Sequence, residues 1–280
     1  MDMGLRDRVV LVTGSTTNIG RGIALAFAGE GARVIVTGRD AFAGAQVIMQ
    51  ARELGAADTF WIAADLMQKG EAARLVTTAV KRWGGIDVLI NNVGGNATIA
   101  PFVETDEEDW RYDLDINVIT MLRLTRAVLP HMVEQKDGRI INIGSTSGVI
   151  GDPFIATYSA AKAAVHGFTR VLAAEVGVHN ITVNAIAPFA TRPADPDEAA
   201  SSGSRSNPET GLFRTLPSDR QVLLGSIFRS GVLPRKAATT DEIGAAAVYL
   251  ASRQAAFITG ETLHVEGGVR LGWTHPDLRH

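Results

Sequence analysis

Short apolar runs rich in β-branched residues, separated by longer amphipathic stretches, set the rhythm of this chain. The runs are Val9 to Thr13 (VVLVT), Arg33 to Thr37 (RVIVT), Thr59 to Ala63, Ile86 to Ile90, Arg139 to Ile143 (RIINI), Thr182 to Ala187 (TVNAIA) and Thr262 to Val265. Continuous rather than alternating apolar character predicts strands buried on both faces, as in a parallel sheet. Between them the spacing predicts helices over Ile19 to Phe27, Phe42 to Leu54, Glu71 to Trp83, Ala156 to Val176 and Thr239 to Ala251. A further long helix follows Thr105. Thr105 with Glu108, and Thr239 with Glu242, read as capping boxes. Pro130 is expected to kink or subdivide the helix it lies in. Regular alternation of strand and helix predicts one α/β domain, doubly wound, with a seven-stranded parallel sheet and helices on both faces.

One segment breaks the rhythm. Thr191 to Ser230 is rich in Pro, Ser, Asp and Gly, with apolar residues returning from Leu212 to Phe228. A stretch of that length without regular structure suggests a lid over a pocket. We therefore read residues 1–280 as a single domain with a substrate lid at about 191–230. The tail from Trp273 to His280 has no place in the sheet.

Composition narrows the function classes. Hydrophobic residues make up 46% and charged residues 20%, which suits a globular core. A net charge of −3 gives no reason to expect nucleic acid or an anionic membrane as partner. There is no cysteine, so no disulfide and no thiolate metal site. No metal spacing is visible among the histidines, and His131, His166 and His179 read as helix-surface or helix-end residues. The opening sequence enters a strand at once, without a signal-like apolar run, so the expected setting is cytoplasmic.

The chemistry-bearing residues fall at strand ends. Gly14, Thr16, Asn18, Ile19 and Gly20 form a small-residue turn between the first strand and its helix. Such a turn brings backbone amides and a helix N-terminus up to a pyrophosphate, so it points to a dinucleotide. At the end of the second strand, an acid would bind the 2′-hydroxyl of an adenosine ribose. Here Gly38 stands in that place and Arg39 follows. A guanidinium pairs with a 2′-phosphate, so the expected cofactor is NADP(H), with NAD less favoured. Tyr158 and Lys162 lie four apart on one helix face. An ammonium there favours the phenolate and gives a proton donor and acceptor near neutral pH. Ser145, upstream, can hydrogen-bond a substrate oxygen. Asn117 stands mid-helix, an indifferent helix former in a place that suggests a buried role.

Taken together, Thr13-Gly14…Ile19-Gly20, Asp65, Asn91-Asn92-Val93-Gly94, Asn117, Ser145, Tyr158, Lys162, Pro188 with Thr191, and Thr259-Gly260 resemble the short-chain dehydrogenase/reductase superfamily, a Rossmann fold. The resemblance runs from Val9 to about Gly268. It implies that Tyr158 is the general acid or base, that Lys162 tunes it and holds the nicotinamide ribose, and that Ser145 polarises the substrate oxygen. It further implies that Asn117 anchors a relay water, that Asp65 and Leu66 meet the adenine, and that Asn92, Gly94, Pro188 and Thr191 line the cofactor. The implied activity is interconversion of a ketone or aldehyde and an alcohol. Homotetramers, or homodimers, are the implied assembly, built on the helices around Asn117 and Tyr158.

Three positions depart from the family pattern: Asn18 at a usual glycine, Val93 at a usual alanine, and Phe189 at the usual glycine after Pro188. Asn tolerates positive φ, so the turn is expected to survive. Two other readings stay open. A 3-oxoacyl-thioester reductase would want a basic surface for an acidic carrier protein, to which Arg123, Arg126 and Arg170 could contribute. A nucleotide-sensing protein without turnover would not need the Tyr–Lys pair.

Overall fold

The computed structural model describes residues 2–193, 217–219, 221–222, 231–235 and 237–272. Seven strands form one sheet: β1 (Val9–Val12), β2 (Arg33–Gly38), β3 (Asp58–Ala63), β4 (Val88–Asn91), β5 (Gly138–Ile143), β6 (Ile181–Pro188) and β9 (Thr262–Val265). Their order is β3-β2-β1-β4-β5-β6-β9, and every pairing is parallel. Two short strands, β7 (Thr191–Arg192) and β8 (Ala238–Thr239), pair separately. Most of the segment read as a lid, and the tail from Trp273, lie outside the described residues.

The apolar runs are continuous because both faces of the sheet are covered. On one face, helices α1 (Asn18–Gly29), α2 (Ala41–Glu53) and α8 (Thr240–Ala251) close a core around Phe27, Val34, Val36 and Ile243. On the other, α3 (Glu71–Trp83), α5 (Thr120–Gln135) and α7 (Ala156–Val176) close a second core around Leu11, Leu75, Leu89, Leu124 and Ile140. Close approach is built in: a Cβ on Gly22 of α1 would lie 2.6 Å from Thr240 of α8. Among the described residues no helix is long and apolar enough to cross a membrane.

The region after Thr105 differs from the sequence expectation. The capping box belongs to Asp106, whose Oδ1 accepts from Glu108 N (2.9 Å) and Asp109 N (3.1 Å). Thr105 is drawn elsewhere; its hydroxyl donates to Phe102 O and accepts from Trp110 Nε1, each at 2.8 Å. Helix α4 (Glu107–Leu114) then passes through a π-helical turn, Asp115–Ile119, into α5. The break is not at Pro130, which lies inside α5. Pro130 and Arg126, four residues before it, are both exposed, so water can serve the carbonyl that proline leaves unpaired. The π turn has a local cause. Asn117 Nδ2 donates to Asp113 O at 2.8 Å, taking the carbonyl its own backbone N–H would use in an α-helix. At α8 the expectation holds: Glu242 Oε2 accepts from Thr239 N at 2.8 Å.

Candidate active site

A cleft of about 610 Å³ crosses the C-terminal edge of the sheet, where the strand order reverses between β1 and β4. Of the predicted residues, Gly14, Thr16, Asn18, Ile19, Gly20, Arg39, Asp65, Leu66, Asn92, Gly94, Ser145, Tyr158, Lys162 and Pro188 all line it. Asn117 and Thr191 do not. Thr191 opens β7, its hydroxyl donating to Phe189 O at 3.2 Å.

The dinucleotide end is a tightly tied turn. Gly14 has φ +60° and Asn18 has φ +46°, so the asparagine takes the conformation expected of it. A Cβ on Gly20 would lie 2.2 Å from Gly14 O and 2.5 Å from Asn92 Nδ2, leaving glycine as the only fit. The Asn92 amide is spent on the turn itself, donating to Thr13 O at 2.7 Å. Thr13 Oγ1 in turn accepts from Asn92 N (2.8 Å) and Val93 N (3.0 Å). These bonds lock the end of β1 to the end of β4 around a concavity shaped by glycine. The described residues therefore fit a pyrophosphate. At the end of β2, Arg39 is exposed and faces the cleft. Its neighbour Asp40 caps α2, accepting from Phe42 N (2.9 Å) and Ala43 N (3.1 Å). Asp65 folds back on its own turn, accepting from Met67 N at 3.1 Å.

At the other end, α7 presents Tyr158 and Lys162 on one face. Lys162 is 4% exposed, and its Nζ donates to Ile143 O at 2.8 Å. That nitrogen lies 5.8 Å from the Tyr158 ring centroid. Asn117 sits behind the cleft, donating to Gly95 O (2.6 Å) and accepting from Gly95 N (3.1 Å). A Cβ on Gly94 would come within 2.6 Å of Asn117 Oδ1 and 3.0 Å of Lys162 Nζ, so the three residues meet at one point. Ser145 is 8% exposed; its hydroxyl accepts from Ser147 N and donates to Ser147 Oγ, both at 3.1 Å. Phe189 lies between this cleft and a neighbouring cavity of about 240 Å³.

His166 is not the surface residue the sequence suggested. It is 4% exposed, one turn beyond Lys162 on α7. Its ring packs under Gly144, where a Cβ would lie 2.3 Å from Cε1. Nε2 lies 3.1 Å from Ser145 O and Nδ1 lies 3.2 Å from Thr262 Oγ1. A carbonyl only accepts, so Nε2 carries the proton and Nδ1 accepts from the threonine. The ring thus pins the Ser145 backbone to β9. The spacing Tyr158, Lys162, His166 was the available signal, since all three share one helix face.

Burial holds the His166 pKa below its ordinary 6.5, the nearby Lys162 charge adding to the effect and the Ser145 carbonyl opposing it. The unfolded chain therefore binds a proton here at a pH where the folded chain does not. Stability falls as pH drops below about 6.5. His264, also lowered by burial, acts in the same direction. Replacing His166 with Gln should give a visibly shallower fall in Tm between pH 7 and pH 5, measured by thermal denaturation; an unchanged slope would count against this assignment.

Comparison with known proteins agrees with this geometry. Residues 8–202 match the family described as short chain dehydrogenase, and residues 208–270 match the one described as Enoyl-(Acyl carrier protein) reductase. The chain is 37% identical over 270 residues to a 3-oxoacyl-[acyl-carrier-protein] reductase of Vibrio cholerae, covering 96% of this chain and 100% of that protein. It is 34% identical over 273 residues to the protein of the same description in Escherichia coli, with 96% and 100% covered. A solved short-chain type dehydrogenase/reductase from Mycobacterium ulcerans superposes with a TM-score of 0.79 at 26% identity, covering 95% of this chain and 91% of that one. Sheet order, cleft and relatives agree: the chain belongs to the short-chain dehydrogenase/reductase family, oxidoreductases that move hydride between NAD(P)(H) and a carbonyl–alcohol pair.

Proposed function

We propose that this protein uses NADPH to reduce the ketone of a 3-oxoacyl thioester. The observation that carries carbonyl reduction is the meeting of Ser145, Tyr158 and Lys162 along one wall of the cleft. The thioester class is supported by full-length similarity to 3-oxoacyl-carrier-protein reductases. Exposed Arg39 at the ribose end supports NADPH over NADH.

Bound in the cleft, the cofactor supplies the hydride. The protein supplies the proton and the field. Tyr158 Oη protonates the carbonyl oxygen as negative charge gathers on it. The Ser145 hydroxyl holds that same oxygen. Lys162, fixed by Ile143 O, keeps a positive charge near the phenolate left behind. Asn117, buried against Gly95, fixes the backbone beside Lys162, and the phenolate regains its proton from solvent before the next turnover.

Of the arginines considered for an acidic carrier, Arg123 is partly buried and donates to Met67 O at 3.0 Å. Arg126 on α5 and Arg170 on α7 are exposed, in the same helical layer. A second reading, reduction of a free ketone, is favoured by Phe189, which puts an aromatic residue in the lining of the cleft and of the cavity beside it. We also propose a homotetramer, for which exposed Tyr112 and Leu114 on α4 and Val171 on α7 offer apolar contact.

The test is NADPH oxidation with acetoacetyl-CoA, an acetoacetyl-carrier protein and simple aryl ketones. Turnover of the two thioesters above the ketones is expected. Replacing Arg126 and Arg170 with Glu should then raise KM for the carrier-bound substrate about ten-fold or more, leaving the aryl ketones unchanged. Preference for the ketones would support the second reading instead.

A further inference from the structure

Behind Ser145 runs a buried hydrogen-bonded chain that the mechanism above does not use. The 4-residue helix α6 (Ser147–Ile150) starts two residues after Ser145 and turns at Gly151 toward Asp152. Asp152 is 6% exposed and Ser147 is 7% exposed. Ser147 Oγ donates to Asp152 Oδ2 at 2.5 Å, and Ser145 Oγ donates to Ser147 Oγ at 3.1 Å. Ser147 N also donates to Ser145 Oγ.

The direction of this chain follows from its end. A carboxylate only accepts. Ser147 therefore gives its one hydroxyl proton to Asp152 and can offer Ser145 only a lone pair. Ser145 gives its own proton to Ser147. What Ser145 Oγ then shows to the cleft is a lone pair, complementary to an alcohol O–H and not to a carbonyl oxygen. To hold a carbonyl, the Ser145 hydroxyl must turn away from Ser147 and give up that bond.

We propose that Asp152, acting through Ser147, is a positioning residue that sets the polarity of Ser145 and biases the resting site toward the alcohol over the ketone. The bias amounts to roughly one net hydrogen bond of about 1 kcal/mol, or about five-fold in affinity. It lies on the ground state of the site and leaves the reaction equilibrium untouched. Without the carboxylate, Ser147 turns its proton onto Ser145, which then donates into the cleft. Without the Ser147 hydroxyl, Ser145 loses its acceptor with the same result.

This inference rests on the proposed carbonyl chemistry at Ser145, and the experiment separates the two. Wild-type turnover of acetoacetyl-CoA with NADPH decides the chemistry. Dissociation constants of acetoacetyl-CoA and 3-hydroxybutyryl-CoA are then measured on NADP-loaded protein carrying Tyr158→Phe, alone and with Ser147→Ala or Asp152→Ala. The common coenzyme A portion cancels in the ratio of the two constants. Both added substitutions are expected to shift that ratio about five-fold or more toward the oxo ligand. A merely structural part for Asp152 would weaken both ligands alike. An unmoved ratio with Ser147→Ala, the milder change, overturns the proposal even should Asp152→Ala fail to fold.

Discussion

Replacing Tyr158 with Phe should abolish turnover while leaving cofactor affinity within about two-fold of wild type. The substitution removes one oxygen from a half-buried ring and leaves the packing of α7 unchanged. Positioned proton transfer contributes about 10²- to 10⁴-fold to rate. Here the loss should exceed the lower figure, because no second acid stands in for the phenol. The Ser145 hydroxyl holds the substrate oxygen but is not an acid near neutral pH, and the Lys162 ammonium, held by Ile143 O, supplies charge. The turn at Gly14 and Gly20, which shapes the dinucleotide end, is built from β1, α1 and β4 and does not involve α7. Steady-state rates together with a fluorescence titration of NADPH test both halves. Activity within ten-fold of wild type would remove Tyr158 from the proton step, and a parallel loss of NADPH binding would recast it as a cofactor ligand.

Much of this site was legible because it sits where strands end. Each buried strand is an apolar run, and a polar or glycine residue within two positions of its end falls at the sheet edge: Gly14, Arg39, Asp65, Asn92, Ser145. Helix spacing placed Tyr158 with Lys162, and the helices Glu71–Trp83 and Ala156–Val176 have the ends the sequence suggested. What was hidden depended on choices among equivalent partners. Thr105 and Asp106 can both cap a helix, and Trp110 decides by holding the Thr105 hydroxyl. Asn117 could have faced solvent; its amide chose Asp113 O and Gly95, and the π turn followed. His166 was obscured by its residue type, since a lone histidine on a helix is most often exposed. Ser147 and Asp152 meet because the chain turns at Gly151, just after α6, which no periodicity encodes. Nor did spacing distinguish Arg123, tied to Met67 O, from the open Arg126.

Arg39→Ala should weaken NADPH binding by about ten- to a hundred-fold and change NADH binding little. Hydrogen bonds to charged groups contribute about 1.5–3 kcal/mol, and a guanidinium can make two to one phosphate. Three features at the end of β2 favour a phosphate there. Arg39 faces the cleft. Gly38 places no side chain where an acid would exclude a phosphate. Asp40, the nearest carboxylate in sequence, has its Oδ1 engaged in capping α2, accepting from Phe42 N and Ala43 N. The exchange for an NADH site is not a simple Gly38→Asp. A Cβ on Gly38 would already lie 3.0 Å from Thr16 Oγ1, so an acid there must push the Thr16 side chain, part of the cofactor turn, aside by a few tenths of an ångström. The arginine is exposed, so its contribution should shrink as salt rises, and the NADPH preference of the wild type should fall between 50 mM and 500 mM NaCl while NADH affinity moves less. Titrations of both cofactors against both proteins at the two salt concentrations give the result directly. Equal losses for NADPH and NADH in the variant would mean that Arg39 acts on the shared adenosine portion, and the cofactor preference would then have to reside in the Thr16 turn.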